Sequence, residues 1–145
     1  MVRRLTFKHS YPVDADRLFA MAIDLDVLEA VSRPWLRFDH LPSGPAQVGQ
    51  HIDVALSPLG VLPAQPYTMH VVTCDRAARL LRSEEHGMGI TRLVHELQVE
   101  PAGTGALQVD RVEIDAGWRS GLVALWVRTL YRRRHRAMRQ LLVPA

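Results

Sequence analysis

His95 is the residue of this sequence whose type and position are best suited to proton chemistry. It lies in an alternating segment in which Thr91, Leu93, His95 and Leu97 share one parity, as in a strand with one inward face. An imidazole titrates near neutral pH, so an inward His95 could serve as a hydrogen-bond donor or as a general base. A structural role, with the ring bonded to a neighbouring strand or to water, explains the same pattern.

Asp110 lies on the adjacent predicted strand and is a candidate partner for His95. It shares the parity of Val112 and Ile114, whereas Val109 has the opposite parity, so the sequence leaves its face open. If the two residues meet, the carboxylate would fix the imidazole tautomer, which serves catalysis and structure equally well.

Arg134 differs from the other arginines near the C-terminus because it falls on the apolar side of a predicted helix. A buried guanidinium needs a partner. Arg134 would therefore anchor an acidic ligand group, form a structural salt bridge, or extend its charged end to solvent.

Large apolar and aromatic side chains could surround these polar groups. Aromatic residues with one polar tip suit an amphipathic ligand, although core packing explains each of them as well. We expect the ligand site to be drawn from Trp35, Phe38, Tyr67, Met69, Leu93, His95, Leu97, Asp110, Trp126, Leu130 and Arg134.

Other site chemistries find little support. Cys74 is the only cysteine, so no internal disulfide or multi-cysteine metal site can form. The histidines and carboxylates lack zinc-ligand spacing, and there is no nucleophile elbow, phosphate loop or dinucleotide fingerprint. We expect no metal and no cofactor.

Length and composition predict one globular domain over residues 1–145. The 145 residues are 48% hydrophobic and 23% charged, which is ordinary for a folded domain. No secretory signal and no apolar run long enough to span a bilayer is visible, so we expect a cytoplasmic protein without membrane insertion.

The elements that must position the candidate residues follow from local patterns. Asp14 and Asp24 are typical helix caps and predict two short helices after a first strand. From Trp35 to Ile114, alternating segments separated by Pro and Gly turns predict six further strands. After Gly117, a long helix extends to about Leu142.

That last helix is amphipathic. One face carries its apolar side chains, Val123, Trp126, Val127, Leu130, Met138 and Leu141. The other face carries arginines such as Arg128, Arg132, Arg136 and Arg139. Hairpin-linked strands with segregated helices indicate an α+β fold, a curved antiparallel sheet of about seven strands wrapped around the long helix.

Several short stretches resemble those of the START-like helix-grip superfamily, in particular its bacterial SRPBCC or polyketide cyclase/dehydrase branch. They are Pro12 to Phe19, Ser32 to Phe38, Leu59 to Pro63 followed by Tyr67, Val94 to Glu96, and Val109 to Glu113. The sequence departs from that branch at Leu93, where Trp is frequent, and at Leu97, where a second His is frequent. Met88-Gly89 also replaces a Gly-Pro.

The resemblance implies a cavity between sheet and helix that binds a lipid, polyketide or isoprenoid-like molecule. It also implies an alternative, a cyclase or dehydratase type of lyase or isomerase that uses His95; the lack of a clear acid and base pair favours binding over catalysis. A third option is a partner, nucleic acid or membrane surface bound through the arginine-rich helix. A solvated helix face explains those arginines more simply, so we expect no nucleic acid. The oligomeric state stays open, with a homodimer as one option.

Overall fold

The computed structural model describes residues 2–143 and contains a seven-stranded antiparallel sheet with three α-helices. The predicted α+β architecture is confirmed. The strands are β1 (Val2–Tyr11), β2 (Leu36–Asp39), β3 (His51–Pro58), β4 (Gln65–Asp75), β5 (Leu80–Gly87), β6 (Ile90–Ala102) and β7 (Gly105–Asp115). The helices are α1 (Ala15–Ala22), α2 (Leu25–Ser32) and α3 (Ser120–Leu142).

The sheet has the strand order β1-β7-β6-β5-β4-β3-β2, so the first strand pairs with the last and the other neighbours are sequential. Two register shifts interrupt the ladders of β5, one against β4 at Val71 to Thr73 and one against β6 at Glu85 to Gly87. Irregularities of this kind bend a strand and increase its twist. They help the sheet to curl into a half-barrel with a concave face.

Helices α1 and α2 begin where the sequence predicts. The Asp14 carboxylate accepts hydrogen bonds from the backbone N–H groups of Asp16 and Arg17, and Asp24 caps α2 in the same way. These contacts satisfy backbone donors that lack a partner in the first turn of a helix. Both predicted caps are confirmed, and the two helices occupy the chain between β1 and β2.

Helix α3 packs against the concave face of the sheet, but its buried stripe differs from the predicted one. Val127, Tyr131, His135, Met138 and Leu142 are buried at spacings of three and four residues. Leu141, predicted on this face, was wrongly assigned, because its side chain is 48% exposed. The stripe passes through Tyr131 and His135, whose ring edges are polar, so counting apolar residues alone misplaced its C-terminal end.

Within residues 2–143, no helix is long and apolar enough to cross a membrane.

Candidate functional site

A cavity of about 380 Å³ lies between the sheet and the first half of α3. Its volume is within the range of pockets that hold small molecules, roughly 300–1,000 Å³. Apolar side chains from β2 to β6, from α2 and from α3 form most of its wall. Those that the sequence also selected are Phe38, Met69, Leu93, Trp126 and Leu130.

Leu122 shows that the cavity reaches the protein surface. This side chain lines the cavity and is nevertheless 66% exposed. Arg119 lines the same region and lies across the β5–β6 turn, where a Cβ on Gly89 would be 2.8 Å from its guanidinium. A side chain at position 89 would therefore displace Arg119 from this part of the wall.

One polar group of the cavity is built on β5. The Tyr67 hydroxyl donates to Glu85 Oε1 at 2.8 Å, and the Ser83 hydroxyl donates to Glu85 Oε2 at 2.7 Å. Burial, followed by the negative charge of Glu85, raises the pKa of Tyr67 well above its ordinary value. Tyr67 thus remains a protonated donor, and each oxygen of Glu85 has a fixed partner.

The second polar group is a buried cluster around Asp110, on β7. His95 Nε2 lies 2.7 Å from Asp110 Oδ1, and His135 Nε2 lies 3.2 Å from Oδ2. The Gln108 side-chain amide also donates to Oδ2, at 2.9 Å. Burial raises the pKa of Asp110, but the hydrogen bonds from His135 and His95 outweigh it, so the net pKa lies below the ordinary value.

The cluster continues from His135 towards β1. The Tyr11 hydroxyl lies 2.5 Å from His135 Nδ1, and the ring of His9 stacks on that of His135 with centroids 3.5 Å apart. If Tyr11 donates to Nδ1, the His135 proton resides on Nε2 and points to Asp110. An ionised carboxylate only accepts hydrogen bonds, so a neutral His95 carries its proton on Nε2, facing Asp110, and its Nδ1 is an acceptor.

The two groups meet at the boundary between two cavities. A second cavity, of about 70 Å³, is lined by Leu97, Gln108, Asp110 and His135. His95, Tyr131 and Arg134 line both cavities. Together with Ala22 and Leu28, which also line both, these three polar side chains separate the apolar space under the first half of α3 from the polar cluster under its second half.

Solved structures with little sequence identity share this architecture. The chain matches Ara h 8.0201 with a TM-score of 0.76 and 14% identity, over 100% of both chains. It matches a protein from Rhodobacter sphaeroides with a TM-score of 0.78 and 15% identity, over 100% of both chains. The corresponding values for major latex-like protein 151 from Panax ginseng are 0.75 and 12%, over 99% of both chains.

The chain has the START-like helix-grip fold. At identities this low the likeness establishes the fold alone, so the ligand and any reaction must be argued from the residues. No family model matches the chain, and no curated protein matches it in sequence.

The helix-grip fold brings most of the predicted site residues to the large cavity. Eight of them line it: Phe38, Tyr67, Met69, Leu93, His95, Trp126, Leu130 and Arg134. Leu97 and Asp110 line the small cavity instead, because they lie further along the sheet towards the Asp110 cluster. Trp35 lines neither; the Arg133 guanidinium lies over its ring, 4.6 Å from the centroid.

Sequence reasoning missed several polar residues of the helix-grip interior, among them Ser83, Glu85, Tyr131 and His135. Ser83 and Glu85 share the inward parity of Leu81 on β5, which was a usable signal. Tyr131 and His135 follow Val127 at intervals of four, the spacing of one helix face. Both positions could have been found by following spacing rather than apolar character.

Proposed function

We propose that this protein binds a small apolar or amphipathic molecule, such as a lipid, polyketide or isoprenoid-like compound, in the large cavity. The observation that carries this proposal is the cavity itself, about 380 Å³ of space with a mostly apolar wall and a few fixed polar groups. Covering apolar ligand surface contributes roughly 25 cal/mol per Å² before the losses of association. The polar groups would set the orientation of the ligand.

The experiment uses the neutral probe N-phenylnaphthylamine, whose fluorescence rises in apolar surroundings. Saturable binding by the purified protein is the expected result. Val127→Phe should weaken it by about tenfold or more, because Val127 lines the cavity and a larger side chain fills the space that the probe needs. Thermal unfolding followed by circular dichroism checks that the variant remains folded.

Val48→Phe is the matched control, since it makes the same substitution at a side chain that is 66% exposed and outside the cavity. It should bind the probe like the wild type. Absence of saturable binding to the wild type, or equal binding by the folded Val127→Phe variant, would remove the proposal.

A second candidate function is proton transfer on a carbonyl compound held in the same cavity, as in a cyclase or dehydratase. The observation that favours it is the 2.7 Å contact between His95 Nε2 and Asp110 Oδ1, on a histidine that lines the cavity. In the neutral tautomer with the proton on Nε2, facing Asp110, Nδ1 is an acceptor and can serve as the base that takes a proton from the carbon next to a carbonyl.

Deuterium exchange at that carbon of a long-chain methyl ketone, followed by NMR, tests this candidate. The wild type should accelerate exchange, and His95→Gln should abolish the acceleration while N-phenylnaphthylamine binding is kept. Exchange at the buffer rate in both proteins would exclude His95 as a base for such compounds and leave the binding function intact.

A further inference from the structure

Arg134 is a half-buried cation at the boundary between the two cavities. Its Nε donates to the hydroxyl of Ser32 at 3.0 Å, and its guanidinium lies over the ring of Tyr131, 5.3 Å from the centroid. These two contacts hold the plane of the guanidinium in place. They use Nε and the ring face, and the Tyr131 hydroxyl also lies within reach of the guanidinium; the remaining terminal N–H groups can donate to a ligand.

Among residues 2–143, no carboxylate forms an ion pair with Arg134. The two acids of the interior are bound elsewhere. Glu85 accepts from Tyr67 and Ser83, and Asp110 accepts from His95 and Gln108 and pairs with His135. A cation that is partly shielded from water and has no paired carboxylate favours the binding of an anion beside it, so a ligand carboxylate would gain binding energy at this position.

Tyr131 adds a second donor at the same place. Its hydroxyl is buried within hydrogen-bonding reach of the Arg134 guanidinium. A planar guanidinium matches the geometry of a carboxylate, and a neighbouring hydroxyl can donate to one of its oxygens. Glu85, in the same cavity, disfavours head groups of higher negative charge.

We propose that the large cavity selects amphipathic monocarboxylic acids, with the carboxylate bound by Arg134 and Tyr131 and the apolar tail against the walls of β2 to β6 and α3. This inference rests on the proposed binding function and names its ligand class. It makes Arg134 a specificity-determining residue, while the apolar wall supplies affinity for any tail.

The test measures how well decanoic acid and decanol displace N-phenylnaphthylamine at about pH 8, where the acid is ionised. The two compounds have similar tails, so their difference in affinity reports the contribution of the head group. The wild type should bind decanoate about tenfold more tightly than decanol, the scale of one hydrogen bond to a charged group. Arg134→Gln should abolish most of that preference by weakening decanoate binding far more than decanol binding. Tyr131→Phe should reduce it by about threefold, the scale of a weak hydrogen bond, because the charged guanidinium remains.

Arg136→Gln is the matched control, because it removes the same charge from an exposed position on α3 and should keep the full preference. Glu85→Gln should strengthen decanoate binding, since it removes a negative charge from the cavity. Equal binding of decanoate and decanol by the wild type would overturn this inference alone. Failure of both compounds to displace the probe, or failure of the probe to bind, would overturn the proposed function with it.

If Arg134→Gln and Arg136→Gln reduce the preference equally, the effect comes from net charge, and the assigned contact is wrong. Thermal unfolding checks that Arg134→Gln is folded. An equal loss of decanoate and decanol binding would indicate a structural role through Ser32 and would overturn the assigned contact.

Discussion

The two halves of α3 cover interiors of different kinds. The first half, with Val123, Trp126 and Leu130, spans a cavity of about 380 Å³. The second half, with His135 and Met138, borders a cavity of only about 70 Å³ beside the Asp110 cluster. One helix on one sheet thus has open apolar space at one end and a closed polar network at the other.

The difference follows from what each kind of side chain tolerates. An apolar wall that faces empty space loses only part of its dispersion contacts. A buried carboxylate or imidazole that lacks a partner loses several kcal/mol, so such groups must lie close together. Open space for a ligand is therefore tolerated where the lining is apolar, whereas the polar side chains around Asp110 must pack closely and form a rigid region. Substitutions in the polar region should therefore cost more stability than comparable substitutions around the open cavity.

The largest effect is expected at Asp110. Asp110→Ala leaves the facing nitrogens of His95 and His135 without an acceptor and should lower the free energy of unfolding by about 4 kcal/mol. Urea unfolding measures the change. Asp53→Ala, on an exposed part of β3, is the control and should cost less than about 1 kcal/mol. If the two variants were equally stable, the cluster would contribute nothing to the fold.

A difference of about 2 kcal/mol is expected between two leucine truncations. Leu18 is fully buried and lines neither cavity, so Leu18→Ala creates a new void and should cost about 4 kcal/mol. Leu130 already borders open space, so Leu130→Ala should cost about 2 kcal/mol. The comparison uses the same urea experiment. Equal costs would mean that the large cavity closes when empty.

Two tyrosine hydroxyls provide a finer comparison. Tyr11→Phe removes the donor to His135 Nδ1 inside the closed network and should cost about 1.5 kcal/mol. Tyr67→Phe removes one donor to Glu85, which keeps Ser83 and faces the open cavity, so about 0.5 kcal/mol is expected. Thermal unfolding ranks the two, and a larger cost for Tyr67→Phe would reverse the assignment of the rigid region.

The smallest effect is a pH dependence at the edge of the cluster. Burial, followed by the nearby His135, lowers the pKa of His9 from 6.5 to about 4. Between these pH values His9 is protonated in the unfolded chain but neutral in the folded protein. The free energy of unfolding therefore falls as the pH falls from 6.5 towards 4. His9→Phe should lose less stability over that interval in urea unfolding. If the free energy of unfolding depended on pH in the same way in both proteins, the lowered pKa of His9 would be wrong.

Much of the fold could be predicted because it is encoded in neighbouring residues. A cap needs one carboxylate two or three residues before the N–H groups it accepts from, and Asp14 and Asp24 supply it. Alternation places Leu93, His95 and Leu97 on one face of β6, because successive side chains of a strand point to opposite sides. The long helix, its start after Gly117 and the segregation of strands from helices follow in the same way.

The membership of the polar cluster could not be predicted with the same certainty. Gln108, Val109 and Asp110 are all buried, so burial on β7 has no simple alternation and the parity of Asp110 was ambiguous. His135 lies in a run of arginines on α3, where composition suggested a solvated segment. The two residues meet only because α3 crosses β7 at that point.

The sequence by itself determined the elements, their order, the helix-capping residues and an inward His95, since these depend on spacings of two to four residues. Only the tertiary structure decided that Asp110 meets two histidines, that Arg134 has no carboxylate partner among the described residues, and that about 380 Å³ is open under the first half of α3. The physical reason is that curvature, helix placement and enclosed volume are sums over contacts between residues far apart in the chain, and no local pattern records such sums.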